Sequence, residues 1–111
     1  MSKQILPKPL LGRVAQRFKI LSEPSRLELL NLLVVNEQMN VMQLVEATGQ
    51  RQANVSKHLN LMAREGILTR KKEGLNVYYR VSDPTIHGIC MIVCERLKEE
   101  MDIQQEAFGD I

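Results

Sequence analysis

The feature that most constrains this chain is a change of hydrophobic period at Gly66. Before it, apolar residues recur every three or four positions; after it, they alternate. Upstream, Leu11, Val14, Ala15, Phe18 and Leu21 share one helical face, which predicts a first helix ending near Ser22. Pro24 suits the opening turn of a second helix starting at Ser22 or Glu23, because its fixed φ and missing N–H are tolerated there. Leu27, Leu29, Leu30, Leu32, Leu33 and Val34 leave this helix almost no polar side, so it is expected to be the central buried one. Asn40 is a suitable N-cap for a short third helix carrying Val41, Leu44, Val45 and Ala47, which Gly49 stops. A fourth helix, from about Gln52 to Arg64, has Val55, Leu59 and Met62 for its buried face, and Gly66 supplies a left-handed residue at its end.

Beyond Gly66, residues 67–72 and 77–81 are β-type runs joined by Glu73-Gly74-Leu75-Asn76, a hairpin with a glycine-containing turn. Tyr78 and Tyr79 fall on opposite sheet faces, so one is expected in the core and the other partly exposed. Asp83-Pro84 restarts a helix whose apolar stripe is Ile86, Ile89, Cys90, Val93, Leu97 and Met101. The whole is mainly α with a small β-hairpin. Residues 1–9, with Pro7 and Pro9, read as a flexible N-terminal arm, residues 10–103 as a single domain, and residues 104–111 as a frayed tail.

The order helix, helix, short helix, glycine turn, helix, hairpin, helix is the layout of a winged helix-turn-helix domain. A capped short helix and a tight turn hold the next helix away from the body, where it can enter a major groove about 12 Å wide. Its outer residues are expected to be Gln52, Asn54, Ser56, Lys57 and His58, preceded by Arg51. Amide side chains pair with an adenine edge, and Arg51 and Lys57 with phosphate or guanine. The hairpin brings Arg70, Lys71, Lys72 and Asn76 to a cationic tip, with Arg80 on the return strand, suited to the phosphate backbone or minor groove.

Charge distribution agrees. Net charge is only +2, but residues 51–72 hold six basic side chains against Glu65 alone, whereas residues 95–111 hold six acidic ones against Arg96 and Lys98. A basic middle beside an acidic end fits a nucleic-acid surface and a separate solvated end, although two ordinary solvated faces would give the same count. With 44% hydrophobic residues the chain is too apolar to be disordered. It shows neither a secretory signal nor an apolar run of the roughly 20 residues that span a bilayer, so a cytoplasmic, non-membrane protein is expected. No phosphate-binding glycine loop, zinc-protease motif or nucleophile elbow occurs, which argues against an enzyme.

Three segments, FKILSEPSRLELLNLL, ANVSKHLNLMAREGIL and RKKEGLNVYYRVSDP, together resemble the ArsR/SmtB family of dimeric bacterial repressors across residues 11 to 100. The resemblance implies a homodimer formed by the first and last helices, covering an inverted-repeat operator in duplex DNA and releasing it when an inducer binds. It places the reading helix on residues 52–58, with the Ser-x-His-Leu pattern present as Ser56, Lys57, His58 and Leu59. Arg51 stands where many members have a capping serine, so the cap is expected to pass to Gln50 or Gly49. The family's third-helix metal site would require cysteines where this chain has Asn40 and Met42. Its last-helix zinc site matches at Asp83 and Glu99 but has Thr85 and Arg96 in place of histidines. Neither site is preserved, and no cofactor is required.

His87, Cys90 and Cys94 are spaced i, i+3 and i+7, on one face of the last helix. Three readings stay open for them: apolar interface packing, a redox or sulfur-based thiol switch between subunits, and soft-metal or metalloid binding with ligands from both chains. An i, i+4 disulfide within the helix is unfavourable, because the Cβ atoms lie roughly 6 Å apart where a bridge needs about 4 Å.

Overall fold

The computed structural model describes residues 5–108. A single 3-10 turn, Lys8–Leu10, runs straight into α1 (Leu11–Leu21), followed by α2 (Pro24–Asn36), β1 (Met39–Asn40), α3 (Val41–Thr48), α4 (Gln52–Arg64), β2 (Leu68–Glu73), β3 (Asn76–Val81) and α5 (Thr85–Phe108). The fold is the winged helix-turn-helix that the period change implies.

Local chemistry explains most of the boundaries. Glu23 is the N-cap of α2 and Pro24 its first residue. Asn40 caps α3 with a reciprocal box: its side chain accepts from the Gln43 N–H at 2.8 Å, and the Gln43 side chain accepts from the Asn40 N–H at 2.9 Å. Gly49 closes α3 at φ 72°, a left-handed conformation that costs an L side chain about 1 kcal/mol or more. Asp83 starts α5 by accepting from the Thr85 N–H and hydroxyl at 2.9 and 2.7 Å.

The core lies where α2, α3, α4 and the sheet meet. Leu29, Leu30, Leu33, Leu44, Val55, Leu59, Met62, Ile67, Leu68 and Tyr79 are buried there, with Ile20, Leu21 and Ile86 from the flanking helices. The expected α4 face is therefore the observed one. The sheet has three strands in the order β1-β3-β2, all antiparallel, with Met39 opposite Tyr79 and Arg70 opposite the same tyrosine on the other side. Tyr79 takes the core position and Tyr78 the half-buried one.

Several expectations are corrected. β1 is an addition to the expected elements, since its two residues carry no readable period. The hairpin strands reach further, so that only Gly74 and Leu75 form the loop between Glu73 and Asn76. α2 is not enclosed all round: Leu27 is exposed, and only Leu29, Leu30 and Leu33 are buried. The α1 stripe faces outward at Leu11 and Phe18 and α5 buries only Ile86, which is no departure, since the resemblance pairs these two helices with a second copy. α5 also continues through Phe108, past the 104 boundary of the expected frayed tail, because no helix breaker intervenes before Gly109. Residues 1–4 of the expected arm and 109–111 of the tail lie outside the described residues.

Candidate nucleic-acid interface

α3 and Gly49 set the geometry of α4, the helix expected to enter the groove. The turn is pinned to α2 through Gln50, whose side-chain amide donates to the Ser25 carbonyl and to Glu28 Oε2, both at 3.2 Å. Thr48 Oγ1 accepts from the Gln50 N–H at 3.1 Å. Gln50 is thus committed to the body and does not cap α4, contrary to the expectation for it or Gly49. Arg51 occupies the N-cap with no side-chain hydrogen bond, leaving the first amide N–H groups of α4 without a side-chain partner. An uncapped helix start beside a guanidinium favours an anion such as phosphate.

Arg51, Gln52, Asn54 and Lys57 are exposed along the start of α4, and Ser56 is half-buried. His58 departs from the expected outward set. Its side chain is only 14% exposed, its Nε2 lies 3.2 Å from Ser25 Oγ, and its Nδ1 lies 3.9 Å from Glu23 Oε2. The physical reason is angular: at about 100° per residue, His58 sits roughly 60° from the buried Val55 and turns toward α2 rather than a groove. Burial lowers the His58 pKa below its ordinary 6.5; Glu23 opposes that shift, and Arg26 and Lys57 reinforce it. Glu23 in turn accepts from Arg26 Nε at 2.7 Å, so one carboxylate orders both partners.

The wing is fastened to this helix. Tyr79 donates its hydroxyl to Asn60 Oδ1 of α4 at 3.2 Å. The Arg70 guanidinium lies 5.8 Å from the Tyr79 ring centroid, a cation–π distance, and Arg70 remains exposed. Lys71 and Lys72 are exposed, as are Asn76 and Arg80. Lys71 Nζ lies 3.4 Å from Glu73 Oε1, which offsets part of its charge. Arg70, Lys72 and Arg80 form no ion pair among the described residues.

One anchor carried no sequence signal. Arg17 of α1 pairs with Asp83 at the start of α5 and donates to the Glu65 carbonyl, at 3.0 Å, where α4 ends. Burial pushes the Asp83 carboxyl up, but hydrogen bonds from Thr85 and the adjacent Arg17 outweigh it and hold the pKa below the usual 3.8. The other residue aligned with the zinc site, Glu99, meets Arg96 at 3.3 Å. His87 and Cys94 are exposed, and Cys90 is half-buried against the core, where burial raises its thiol pKa. Within one chain, no three His, Cys, Asp or Glu side chains among the described residues form a metal-holding group. No helix among them is long and apolar enough to cross a membrane.

Comparison with known proteins places this geometry. The family defined as "Bacterial regulatory protein, arsR family" matches residues 23–70, from the start of α2 into the wing. The transcriptional repressor PagR of Bacillus anthracis is 33% identical over 79 residues, covering 71% of this chain and 79% of that protein. The antimony-specific transcriptional repressor AntR superposes with a TM-score of 0.80 at 26% identity, covering 92% of each chain. The homodimeric winged helix-turn-helix DNA-binding domain of Mb0332 from Mycobacterium bovis superposes at 0.73 with 28% identity, covering 89% of this chain and 92% of that one. From its sequence, its fold and the arrangement around α4, the chain belongs to the arsR family of bacterial regulatory proteins.

Proposed function

We propose that this protein is a cytoplasmic, homodimeric transcriptional repressor that reads an inverted-repeat operator in duplex DNA. The observation that carries the reading is the exposed, uncapped start of α4, with Gln52, Asn54 and Lys57, joined through Tyr79 and Asn60 to a cationic hairpin. Gln52 and Asn54 read base edges, whereas Arg51, Lys57, Lys72 and the amide groups of the first turn hold phosphates. Ser56 is a lesser contact, and His58 supports the helix from behind. Two copies place two such helices in successive major grooves, one duplex turn apart.

Fluorescence anisotropy on random duplex, repeated across a salt series, tests the reading. Affinity is expected to fall steeply, with a log–log slope of about −0.9 per phosphate contacted. Asn54→Ala and Gln52→Ala are expected to cost about 1–3 kcal/mol at single base positions of a selected operator while leaving other positions unchanged. A slope near zero, or no base preference altered by either variant, overturns the assignment.

We infer further that an inducer releases the DNA through the thiols of α5. Cys94 is exposed in the single chain on the same helical face as Val93, Leu97 and Met101, the face assigned to the partner, so chemistry at this thiol acts on the subunit contact. Burial disfavours the thiolate of Cys90, making it the slower nucleophile. Cys94→Ser is expected to preserve operator affinity and abolish release by polysulfide or oxidant. Full retention of the response in Cys90→Ser and Cys94→Ser leaves both thiols as packing. Arsenite and antimonite, the latter prompted by the named specificity of AntR, separate a metalloid response from an oxidative one.

A further inference from the structure

A cleft of about 510 Å³ opens where α2 ends, β3 ends and α5 begins, away from the exposed start of α4. Its size is within the range of about 300–1,000 Å³ typical of small-molecule sites. Leu33, Val34 and Val81 give it apolar walls, and Glu37, Arg80 and His87 give it polar ones. Asp83 also borders it, but Arg17 and Thr85 already occupy that carboxylate.

Two independent features mark the cleft as more than a surface irregularity. The first is backbone strain. Glu37 adopts φ 67° and ψ −53°, and the Gln38 N–H donates to the Asn36 carbonyl at 2.8 Å. This is a γ-turn of the rare, strained hand, and Glu37 is the one non-glycine residue with positive φ among the described residues. Such conformations cost about 1–3 kcal/mol and cluster at ligand clamps and switch regions. The second is unused charge. Arg80 and Glu37 both border the cleft, yet neither forms an ion pair among the described residues. A guanidinium presents a planar fork matched to a carboxylate, and Glu37 offers an acceptor to an amine or hydroxyl.

We propose that this cleft binds a small organic acid bearing an amino or hydroxyl group beside its carboxylate and an apolar body. The carboxylate pairs with Arg80, the neighbouring donor with Glu37, and the apolar body lies against Val34 and Val81. The position gives such a ligand leverage on the reading helix. Glu37 precedes β1 and the Asn40 cap of α3 by two and three residues, and Arg80 follows Tyr79, whose hydroxyl holds Asn60 of α4. A role as an effector site rests on the DNA-binding reading; binding itself is measured without DNA, so either can fail while the other stands.

The test is an amide-resonance titration of the full chain with four probes of one carbon skeleton: L-leucine, leucic acid, isocaproate and isoamylamine. Leucine and leucic acid are expected to give saturable shifts at Gln38, Arg80, Val81 and His87. Isocaproate, which lacks the donor group, is expected to bind at least tenfold more weakly, and isoamylamine, which lacks the carboxylate, not to saturate. Arg80→Met is expected to weaken leucine tenfold or more, whereas Glu37→Gln narrows the gap between leucine and isocaproate. Thermal melts of both variants establish that they are folded. Tightest binding by isoamylamine, undiminished affinity in folded Arg80→Met, or no saturable shift with any probe overturns the proposal.

Discussion

At the scale of single residues, His58 shows how a motif residue can be positioned for support. The pattern of polar residues from Gln52 onward reads as one outward face, but helical geometry puts His58 at the margin of the buried side, against Ser25 and Glu23. Burial favours the neutral form of this side chain and lowers its pKa. The groups facing it are Glu23 and Arg26 at the start of α2, with Lys57 beside it on α4. A histidine whose folded pKa lies below its unfolded value binds fewer protons when folded, so stability increases with pH across that interval. The contribution is complete above the ordinary value of 6.5 and is lost as pH falls from there through the folded pKa. Asp83, also depressed, adds a second loss as pH falls below 3.8 through its own folded pKa. Melting curves measured by circular dichroism are expected to show the midpoint declining below pH 6.5 and a flatter decline in His58→Gln. An unchanged profile in that variant shows that His58 does not set the acid response. Arg17 lies at the opposite extreme of legibility: nothing local marks a surface-helix arginine as the partner of an aspartate 66 residues away.

At the scale of elements, legibility followed periodicity. α4 and the hairpin were readable because each repeats a hydrophobic spacing over several residues, and α3 because Asn40 and Gly49 punctuate it. β1 was not, since Met39 and Asn40 join the sheet only by tertiary pairing with Tyr79 and Tyr78. Charge along the wing needed the structure too. The sequence presents Lys71 and Lys72 as equivalents, but their side chains alternate across the strand, and Lys71 shares its side with Glu73. That exposed pair adds little stability, about 0–1 kcal/mol at most, yet it partly offsets the positive charge of Lys71. Lys72→Ala is therefore expected to reduce the magnitude of the salt slope of DNA binding by about 1, and Lys71→Ala by clearly less. Glu73→Ala is expected to strengthen binding to all sequences similarly. Anisotropy titrations across salt concentration measure all three, and equal losses for the two lysines mean that the Lys71–Glu73 contact does not persist on DNA.

At the scale of the whole molecule, one chain is too open to be the finished structure. A compact domain of this length has a radius of gyration near 13 Å; this chain has 17.4 Å and measures only 21 Å along its thinnest axis. Much of the excess comes from α5, 24 residues and so about 36 Å long, which buries only Ile86 fully. Ile92, Val93, Leu97 and Met101 are between 52% and 71% exposed along it, and Leu11 and Phe18 are exposed on α1. The two helices that the resemblance pairs across a dimer are thus left open by the chain's own core, and a second copy is the occupant that matches an apolar surface built from them. Leu97→Glu tests this cleanly, because Leu97 is absent from the monomer's core and the substitution leaves those contacts untouched. In a dimer it would bury a charge without a partner, which is strongly unfavourable. Sedimentation equilibrium is expected to show the parent as a dimer and Leu97→Glu as a folded monomer with unchanged far-ultraviolet dichroism. Operator affinity should fall by at least tenfold, since two half-sites can no longer be held by one particle. A variant that remains dimeric places the interface on some other surface, and one that is monomeric yet binds the full operator undiminished removes the need for paired reading heads.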